Sequence, residues 1–278
     1  MPSKFSSTCS IFLSVTSIVW GGNWAHWRGP AGNGSSPDAK PPIEWSETKN
    51  VKWKVPVPGR GSGSPVIWEN KVFVVSAVAA KGGRGFDGER LSKLAFKLFC
   101  FDRETGKILW QKTAITATPH QGTHSTNGFA SASPCTNGKH VYAHFGSRGL
   151  YCYTMDGELA WKRDDFGKMD TRNAFGEGSS PTLEGNKILV PWDHEGPSSL
   201  YALNCLTGKT IWQTKRDEPT NWCTPFVVEN RGAKQVVMNG QTCIRGYELD
   251  TGKELWRIAG KAQRPVTSAV AINDLVIV

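Results

Sequence analysis

Short runs of β-branched and aromatic residues follow one another from about residue 51 onward, and no window shows the longer periodicity of an amphipathic helix. Residues 72–75 and 188–190 are typical of these runs. Asn-Gly and Gly-Asn turns lie between them, and such turns connect antiparallel hairpins because Asn and Gly accept positive φ. The pattern therefore predicts a sheet-rich protein built from antiparallel meanders.

One stretch recurs four times, as a strand, a turn and a second strand that ends in tryptophan. In each copy a glycine precedes the tryptophan by four residues: Gly106 and Trp110, Gly157 and Trp161, Gly208 and Trp212, Gly252 and Trp256. A second pattern opens each unit with two small residues and a proline, at Pro65, Pro134, Pro181 and Pro225. Successive openings lie about 44 residues apart, except that an insertion over residues 79–97 lengthens the first unit.

Each unit thus holds four strands in about 44 residues, and a single four-stranded sheet cannot bury both of its faces. Units of this length bury them by stacking radially as a β-propeller. We predict an all-β propeller of four-stranded antiparallel blades over residues 51–278, with four complete repeats and a partial fifth. Residues 51–55, with Trp53, match only the closing strand of a unit. The repeated tryptophans are expected to pack between neighbouring blades.

Composition changes this picture little. The chain is rich in Gly (30), Pro (16) and Trp (12), which suits turns and aromatic anchors in sheets. Cys100, Cys152, Ala202 and Gly246 share one repeat position, which predicts a site for a small side chain and not a pair of reactive thiols. The net charge of +9 is scattered apart from a basic excess over residues 81–97, interpreted as a solvated loop. We therefore predict no nucleic-acid partner.

The N-terminus predicts export. Residues 1–25 contain one early lysine and a short apolar run, typical of a signal peptide cleaved near Gly22 or Ala25. No run of about 20 apolar residues follows, so no transmembrane segment is expected. Residues 26–50 are rich in Pro and Gly and predict an extended surface arm. The protein is expected in the periplasm or cell envelope.

The opening Ser-Pro, the strand pairs and the closing Thr-Gly-Lys-x-x-Trp together resemble the pyrroloquinoline-quinone (PQQ)-like propeller repeat, and the Gly-x-x-x-Trp element is similar to that family's tryptophan-docking motif. The arm and residues 145–161 resemble exported BamB-like members typical of planctomycete-type bacteria. The resemblance implies seven or eight blades, so the chain is expected to be a fragment incomplete at its C-terminus. It also implies two alternatives: a non-catalytic scaffold without cofactor, or a quinoprotein dehydrogenase that uses PQQ with calcium or a degenerate relative of such an enzyme.

Function in a propeller is expected in the loops that lead into the first strand of each blade. These loops carry arginines for an anionic group, an aromatic face for stacking and hydrogen-bonding side chains. The candidate ligand- or partner-binding residues are Arg60, His124, Asn127, Arg172, Asn173, Glu177, Asn221, Trp222 and Arg264. The alternative interpretation is that these groups tie each loop to a neighbouring blade. We predict an unknown protein or small-ligand partner at this face.

Two places in the sequence carry residues of the kinds that bind metals, and we interpret both as structural. His120 and His124 have a helical metal-pair spacing, but their glycine-containing loop is not helical. Residues 193–195, Asp-His-Glu, are expected to be exposed in a loop. We predict no metal site and no catalytic residue, and the favoured function is an exported protein- or ligand-binding or assembly scaffold.

Overall fold

The computed structural model describes residues 22–37, 39–80, 92–260, 262–273 and 275–278. These residues form eighteen strands, arranged as four sheets of four strands and one of two. The predicted all-β fold of four-stranded antiparallel blades is confirmed. No helix in this part of the chain is long and apolar enough to cross a membrane. Most of the predicted signal peptide and basic loop lies outside the described residues.

Consecutive strands pair antiparallel within each blade. Blade 1 contains β1 (Val66–Trp68), β2 (Lys71–Ala79), β3 (Leu94–Asp102) and β4 (Ile108–Ala117). Blade 2 contains β5 (Cys135–Thr136), β6 (His140–His144), β7 (Leu150–Thr154) and β8 (Leu159–Arg163). Short 3₁₀ turns cover Gly146–Arg148 and Arg172–Ala174.

The remaining strands continue the same order. Blade 3 contains β9 (Thr182–Glu184), β10 (Lys187–Trp192), β11 (Ser198–Asn204) and β12 (Thr210–Arg216). Blade 4 contains β13 (Phe226–Asn230), β14 (Ala233–Met238), β15 (Cys243–Glu248) and β16 (Glu254–Ala259). A fifth sheet pairs β17 (Val270–Ile272) with β18 (Leu275–Ile277).

The small-residue position of the repeat lies directly opposite the tryptophan of the same blade. The pairs are Cys100 with Trp110, Cys152 with Trp161, Ala202 with Trp212 and Gly246 with Trp256. The register shifts immediately after each pair, so every blade carries a β-bulge at the same place. A large side chain here would collide with the indole, which explains the sequence pattern physically.

The indoles of Trp53, Trp110, Trp161 and Trp212 also reach the following blade, where each covers the turn glycine, whereas the Trp256 indole donates to Gln235 of its own blade. A Cβ added to Gly157 would lie 2.8 Å from the Trp110 ring, and one added to Gly252 would lie 2.5 Å from Trp212. The indole N–H groups donate to turn carbonyls of the same neighbour: Trp53 to Arg103 (2.8 Å), Trp110 to Met155 (3.1 Å), Trp161 to Cys205 (3.0 Å) and Trp212 to Leu249 (3.0 Å). We refer to these as the tryptophan–glycine contacts.

The small residues before each first strand link the blades at their other end. Main-chain N–H groups donate to hydroxyls one blade ahead: Ser64 to Ser133 (2.8 Å), Ser133 to Ser180 (2.9 Å), Ser180 to Thr224 (3.1 Å) and Thr224 to Ser268 (2.8 Å). The apolar core lies between adjacent blades, where for example Phe73 and Phe96 of blade 1 share a buried cluster with Tyr151 of blade 2. The blades are therefore joined by packing and by a chain of hydroxyl contacts.

Two sequence expectations for blade 1 are wrong. Residues 51–55 are not a strand, because no described strand lies beside them to supply ladder hydrogen bonds, although the Trp53 indole still covers Gly106. The expected insertion over residues 79–97 is shorter, because Leu94 to Lys97 continue the β2–β3 ladder. Residues 94–97 pair because their alternating side chains, such as Leu94 and Phe96, enter the core.

The arm is also not extended where it begins. Residues 26–34 form consecutive turns closed by the bonds Gly29 N–H to His26 O (2.9 Å) and Gly32 N–H to Gly29 O (3.1 Å). The two glycines have φ of +73° and +64°, which lets the chain reverse direction twice. This first part of the arm thereby contacts the first strands of the blades, whereas the described residues from 35 to 50 are exposed.

Candidate functional site

The loops that lead into the first strands meet at one end of the blades, which we call the channel mouth. Phe175 lies at their centre. Its carbonyl oxygen accepts hydrogen bonds from the His124 main chain (3.1 Å) and from the Asn127 side-chain amide (3.3 Å). The His124 ring packs edge-on against the Phe175 ring at 5.1 Å, and the Arg264 guanidinium lies 5.2 Å from it. Three predicted site residues are therefore brought together by a residue that the sequence analysis did not name.

Arg172 extends the same connections toward blades 4 and 5. Its guanidinium donates to the Gln263 carbonyl (3.2 Å) and lies 3.8 Å from a Glu195 carboxylate oxygen. Its main-chain N–H donates to Thr220 Oγ1 (2.8 Å). The positive charge is thus shared between a carbonyl and a carboxylate, and Arg172 serves mainly to connect loops.

Asn221 and Trp222 hold the blade 4 loop against its neighbours. The buried Asn221 amide donates to Asp193 Oδ2 (2.8 Å), and its oxygen accepts from the Cys223 N–H (2.6 Å). The Trp222 indole N–H donates to the Gly176 carbonyl (2.8 Å). The Trp222 side chain is half-buried, and its indole N–H is engaged within the protein.

Glu177 lies at the blade 2 side of the mouth. Its carboxylate accepts the Ser147 N–H (2.6 Å). Burial raises the pKa of the Glu177 carboxyl above its usual range, although the Ser147 hydrogen bonds and the nearby charges of His120 and Arg148 work in the opposite direction. The group acts as a hydrogen-bond acceptor that orders the Gly146–Arg148 turn.

Arg60 and Asn173 differ from the other predicted residues. Arg60 pairs with Ala77 through its main chain and donates from its side chain to the Ser125 carbonyl (3.2 Å), at the blade 1 side of the mouth. Asn173 is exposed and has φ of +55°, and Ala174 beside it has φ of +51°. Two consecutive non-glycine residues in the left-handed region are costly, and such strain concentrates at functional sites.

A small cavity of about 40 Å³ lies beneath these loops. One water molecule needs about 10–15 Å³ of such space, so the cavity has room for a few waters. Its lining includes Phe96, Phe129, His144, Phe145, Glu177 and Trp222. His144 is buried and neither ring nitrogen makes a hydrogen bond within the described chain. Burial lowers the pKa of His144 to about 4, which keeps the ring neutral.

Asp193 and His194 are buried, so the expectation that residues 193–195 form an exposed loop is wrong for two of the three. Asp193 accepts from the Arg216 guanidinium at 2.8 and 3.0 Å, and both side chains are essentially inaccessible. A carboxylate this deep requires such a bidentate partner. The pair escaped sequence analysis because Arg216 lies 23 residues away at the end of another strand.

The residues present do not fit a calcium-bound quinone at the mouth. Calcium takes six to eight oxygen ligands, but the Asp193 carboxylate and the Asn221 and Glu177 oxygens are already bonded to protein donors. No group of three or more His, Cys, Asp or Glu side chains in the described ranges could hold a metal ion. All six cysteines among these residues are free thiols.

The fold and the loop-built mouth define a repeat β-propeller of PQQ-like blades. A family model described as "Outer membrane protein assembly factor BamB" matches residues 95–277, about two thirds of the chain. The chain belongs to this BamB family. No curated protein sequence matches it.

The solved structures that this chain is similar to include two dehydrogenases and a BamB protein. A europium-containing methanol dehydrogenase aligns with a TM-score of 0.54 and 13% identity over 87% of this chain and 49% of its own. The quinohemoprotein alcohol dehydrogenase of Comamonas testosteroni gives 0.50 and 11%, over 77% of this chain and 38% of its own. BamB from Moraxella catarrhalis gives 0.43 and 14%, over 79% and 67%. At these identities the likeness shows the fold alone, and the chain spans about half or less of the two dehydrogenases.

Proposed function

We propose that this protein is an exported, non-catalytic propeller that binds a protein partner at the channel mouth. The family description, an outer membrane protein assembly factor, supports a scaffold role in the cell envelope. The observation that carries the proposal is the way the mouth loops are held. Side chains that could serve catalysis instead bond to the main chain of neighbouring loops through Phe175 and Gly176.

A surface held in this way is preorganised, so a partner need not order flexible loops when it binds. The strained pair of Asn173 and Ala174 stands at its exposed centre. His124 and Arg264, which both contact the adjacent Phe175, and Val266, two residues after Arg264, are exposed and offer a hydrogen-bonding ring, a cation and an apolar contact. Arginine and aromatic groups are enriched in the energetically dominant parts of protein interfaces. A partner that presents a carboxylate beside an apolar side chain fits this set.

Site-specific photo-crosslinking tests the proposal. A benzophenone amino acid replaces Asn173 at the mouth or Leu206 at the opposite end, and both positions are exposed. After irradiation in cells that produce the protein, we expect one discrete protein adduct from position 173, weakened by Arg264→Ala, and none from position 206. Equal adducts from both positions, or none from either, would contradict binding at the mouth.

The quinoprotein alternative is tested separately on the same purified chain. PQQ and calcium are added, and the visible spectrum and the oxidation of alcohols or aldoses are followed. We expect neither a stoichiometric chromophore nor turnover. Saturable PQQ binding together with turnover would overturn the non-catalytic role, whatever the crosslinking result.

Export is part of the proposal and has its own measurement. N-terminal sequencing of the protein from the envelope fraction should give a chain that begins near residue 23. Of the two positions suggested by the sequence, cleavage near Gly22 keeps the pair of hydrogen bonds between Trp24 and Ile67, both 2.8 Å, whereas cleavage after Ala25 removes it. An intact Met1 in the envelope, or protein confined to the cytoplasm, would argue against export.

A further inference from the structure

Residues 23–32, which are the start of the arm and the three residues before it, contact the first strand or its leading residues in all five sheets, on the side away from the mouth loops. Trp24 exchanges two main-chain hydrogen bonds with Ile67 of β1, both 2.8 Å. The Ala25 carbonyl accepts the Thr136 N–H of β5 (3.0 Å). Each first strand is an edge of its sheet, so the arm satisfies groups that pairing within the blade leaves open.

The arm continues across blades 3 to 5 by side-chain contacts. His26 Nε2 accepts the Leu183 N–H of β9 at 3.3 Å. The Arg28 guanidinium donates to the carbonyls of Ser268 (3.3 Å) and Ala269 (3.5 Å), just before β17. The main-chain pairing of Trp24 resembles the addition of a strand to a sheet edge, and the turns that follow carry His26 and Arg28 to the other blades.

The arm does not fill the space that it covers. A cavity of about 270 Å³ remains beside it, lined by His26, Arg28, Thr136, Thr182 and Phe226 among others. Close packing therefore stabilises the attachment of the arm less than it stabilises the blade cores. The attachment depends more on the hydrogen bonds of Trp24, Ala25, His26 and Arg28.

We infer that the first-strand edges of the five sheets form a peptide-binding site whose resident ligand is the chain's own residues 23–32, and that protonation of His26 releases this ligand. The Leu183 N–H points at His26 Nε2, so that nitrogen must be unprotonated for the contact to form. A protonated imidazolium would place one N–H against another. The site is distinct from the channel mouth and does not depend on the function proposed there.

The charged groups around His26 are few. The Leu183 main chain and Glu184 of β9 favour the protonated ring, although the Glu184 carboxylate is also paired with Lys234. Burial is the largest influence and lowers the pKa of His26 below its ordinary value of 6.5. A base whose pKa is lowered in the bound state binds best when neutral, so arm binding is complete above pH 6.5 and weakens as pH falls below it.

Hydrogen exchange with mass spectrometry tests the inference on the full-length mature protein. After correction for intrinsic exchange rates, peptides covering residues 22–34 and the Leu183 amide should lose protection at pH 5 relative to pH 8. His26→Gln keeps an acceptor that does not titrate, so protection should persist at pH 5. His140→Gln, a matched change outside the arm, should leave the pH dependence as in the wild type.

A synthetic peptide with the sequence of residues 23–34 provides the second measurement. At pH 5 it should bind the wild-type protein only weakly, because its own histidine is protonated, whereas a peptide with Gln in place of that histidine should bind and restore Leu183 protection. A scrambled peptide is the control. The inference is overturned if wild-type arm protection is independent of pH, if His26→Gln remains as pH-sensitive as the wild type, or if the scrambled peptide protects Leu183 equally.

Discussion

The two ends of the blades are held together in different ways. At the end opposite the mouth, each tryptophan–glycine contact repeats with the same atoms: an indole ring over a turn glycine and its N–H on a turn carbonyl. At the mouth the hydroxyl contacts repeat from blade to blade, but the side chains of the loops above them do not: Phe175, Glu177 and Asp193 each bond to a different kind of partner. Repetition therefore marks the residues that hold neighbouring blades together, and the non-repeated contacts fall in the loops where we propose that a partner binds.

Removal of one buried indole should change the free energy of unfolding more than any other substitution that tests this difference between the two ends. Trp212 is 8% exposed and its N–H donates to the Leu249 carbonyl. Trp212→Ala should lower the free energy of unfolding by about 3–5 kcal/mol, because it leaves a cavity between blades 3 and 4. Denaturant titration followed by circular dichroism measures this.

Trp45 supplies the control, since it is 72% exposed and outside the repeat. Trp45→Ala should change the free energy of unfolding by no more than about 0.5 kcal/mol. If both substitutions cost the same, the tryptophan–glycine contacts are not what stabilises the neighbouring blades.

The turn glycines allow a sharper test. Gly157 and Gly185 both have positive φ, +85° and +55°, but only at Gly157 would a Cβ meet an indole, 2.8 Å from Trp110. Gly185→Ala should cost about 1 kcal/mol for the backbone conformation alone. Gly157→Ala should cost about 2–4 kcal/mol, because steric displacement of the ring adds to it. Thermal unfolding of the two variants side by side decides this, and equal costs would mean that the indole moves without penalty.

At the mouth, the pH dependence of stability provides the corresponding test. His144 is buried and neutral, with a pKa of about 4 in the folded protein against 6.5 when unfolded. The folded state therefore binds fewer protons, and its stability falls as pH drops below 6.5, by about 2 kcal/mol at pH 5. Denaturant titrations at pH 7.5 and 5 measure the difference.

His144→Gln should remove most of this slope, whereas His140→Gln, on the same strand, should leave it. A wild-type protein equally stable at pH 7.5 and 5 would show that His144 takes up a proton without cost. That result would place a compensating acceptor in the cavity beneath the mouth.

The repeated part of the molecule was predictable and the mouth was not, for a physical reason. Glycine, tryptophan and the small residue opposite it lie close together in every copy, so their spacing is visible in a single sequence even though each indole contacts the glycine of the following copy. The Asp193–Arg216 pair, the role of Phe175 as an acceptor and the burial of His144 depend on which loops meet after folding. Residues 51–55 show the opposite failure, because a strand-like sequence without a partner strand does not form a ladder.

The smallest expected effect concerns the strain at the mouth. Ala174 has φ of +51°, which costs an alanine about 1–2 kcal/mol relative to right-handed backbone, whereas glycine adopts it freely at the expense of about 0.5–1 kcal/mol of unfolded-state entropy. Ala174→Gly should therefore stabilise the protein by about 0.5 kcal/mol, within reach of replicate denaturant titrations.

The strain is then present in the natural protein for a reason other than stability. If it holds Asn173 toward a partner, the same variant should weaken the crosslink from position 173, even though the fold has become more stable. A variant that is more stable and crosslinks as well as the wild type would separate the strain from binding.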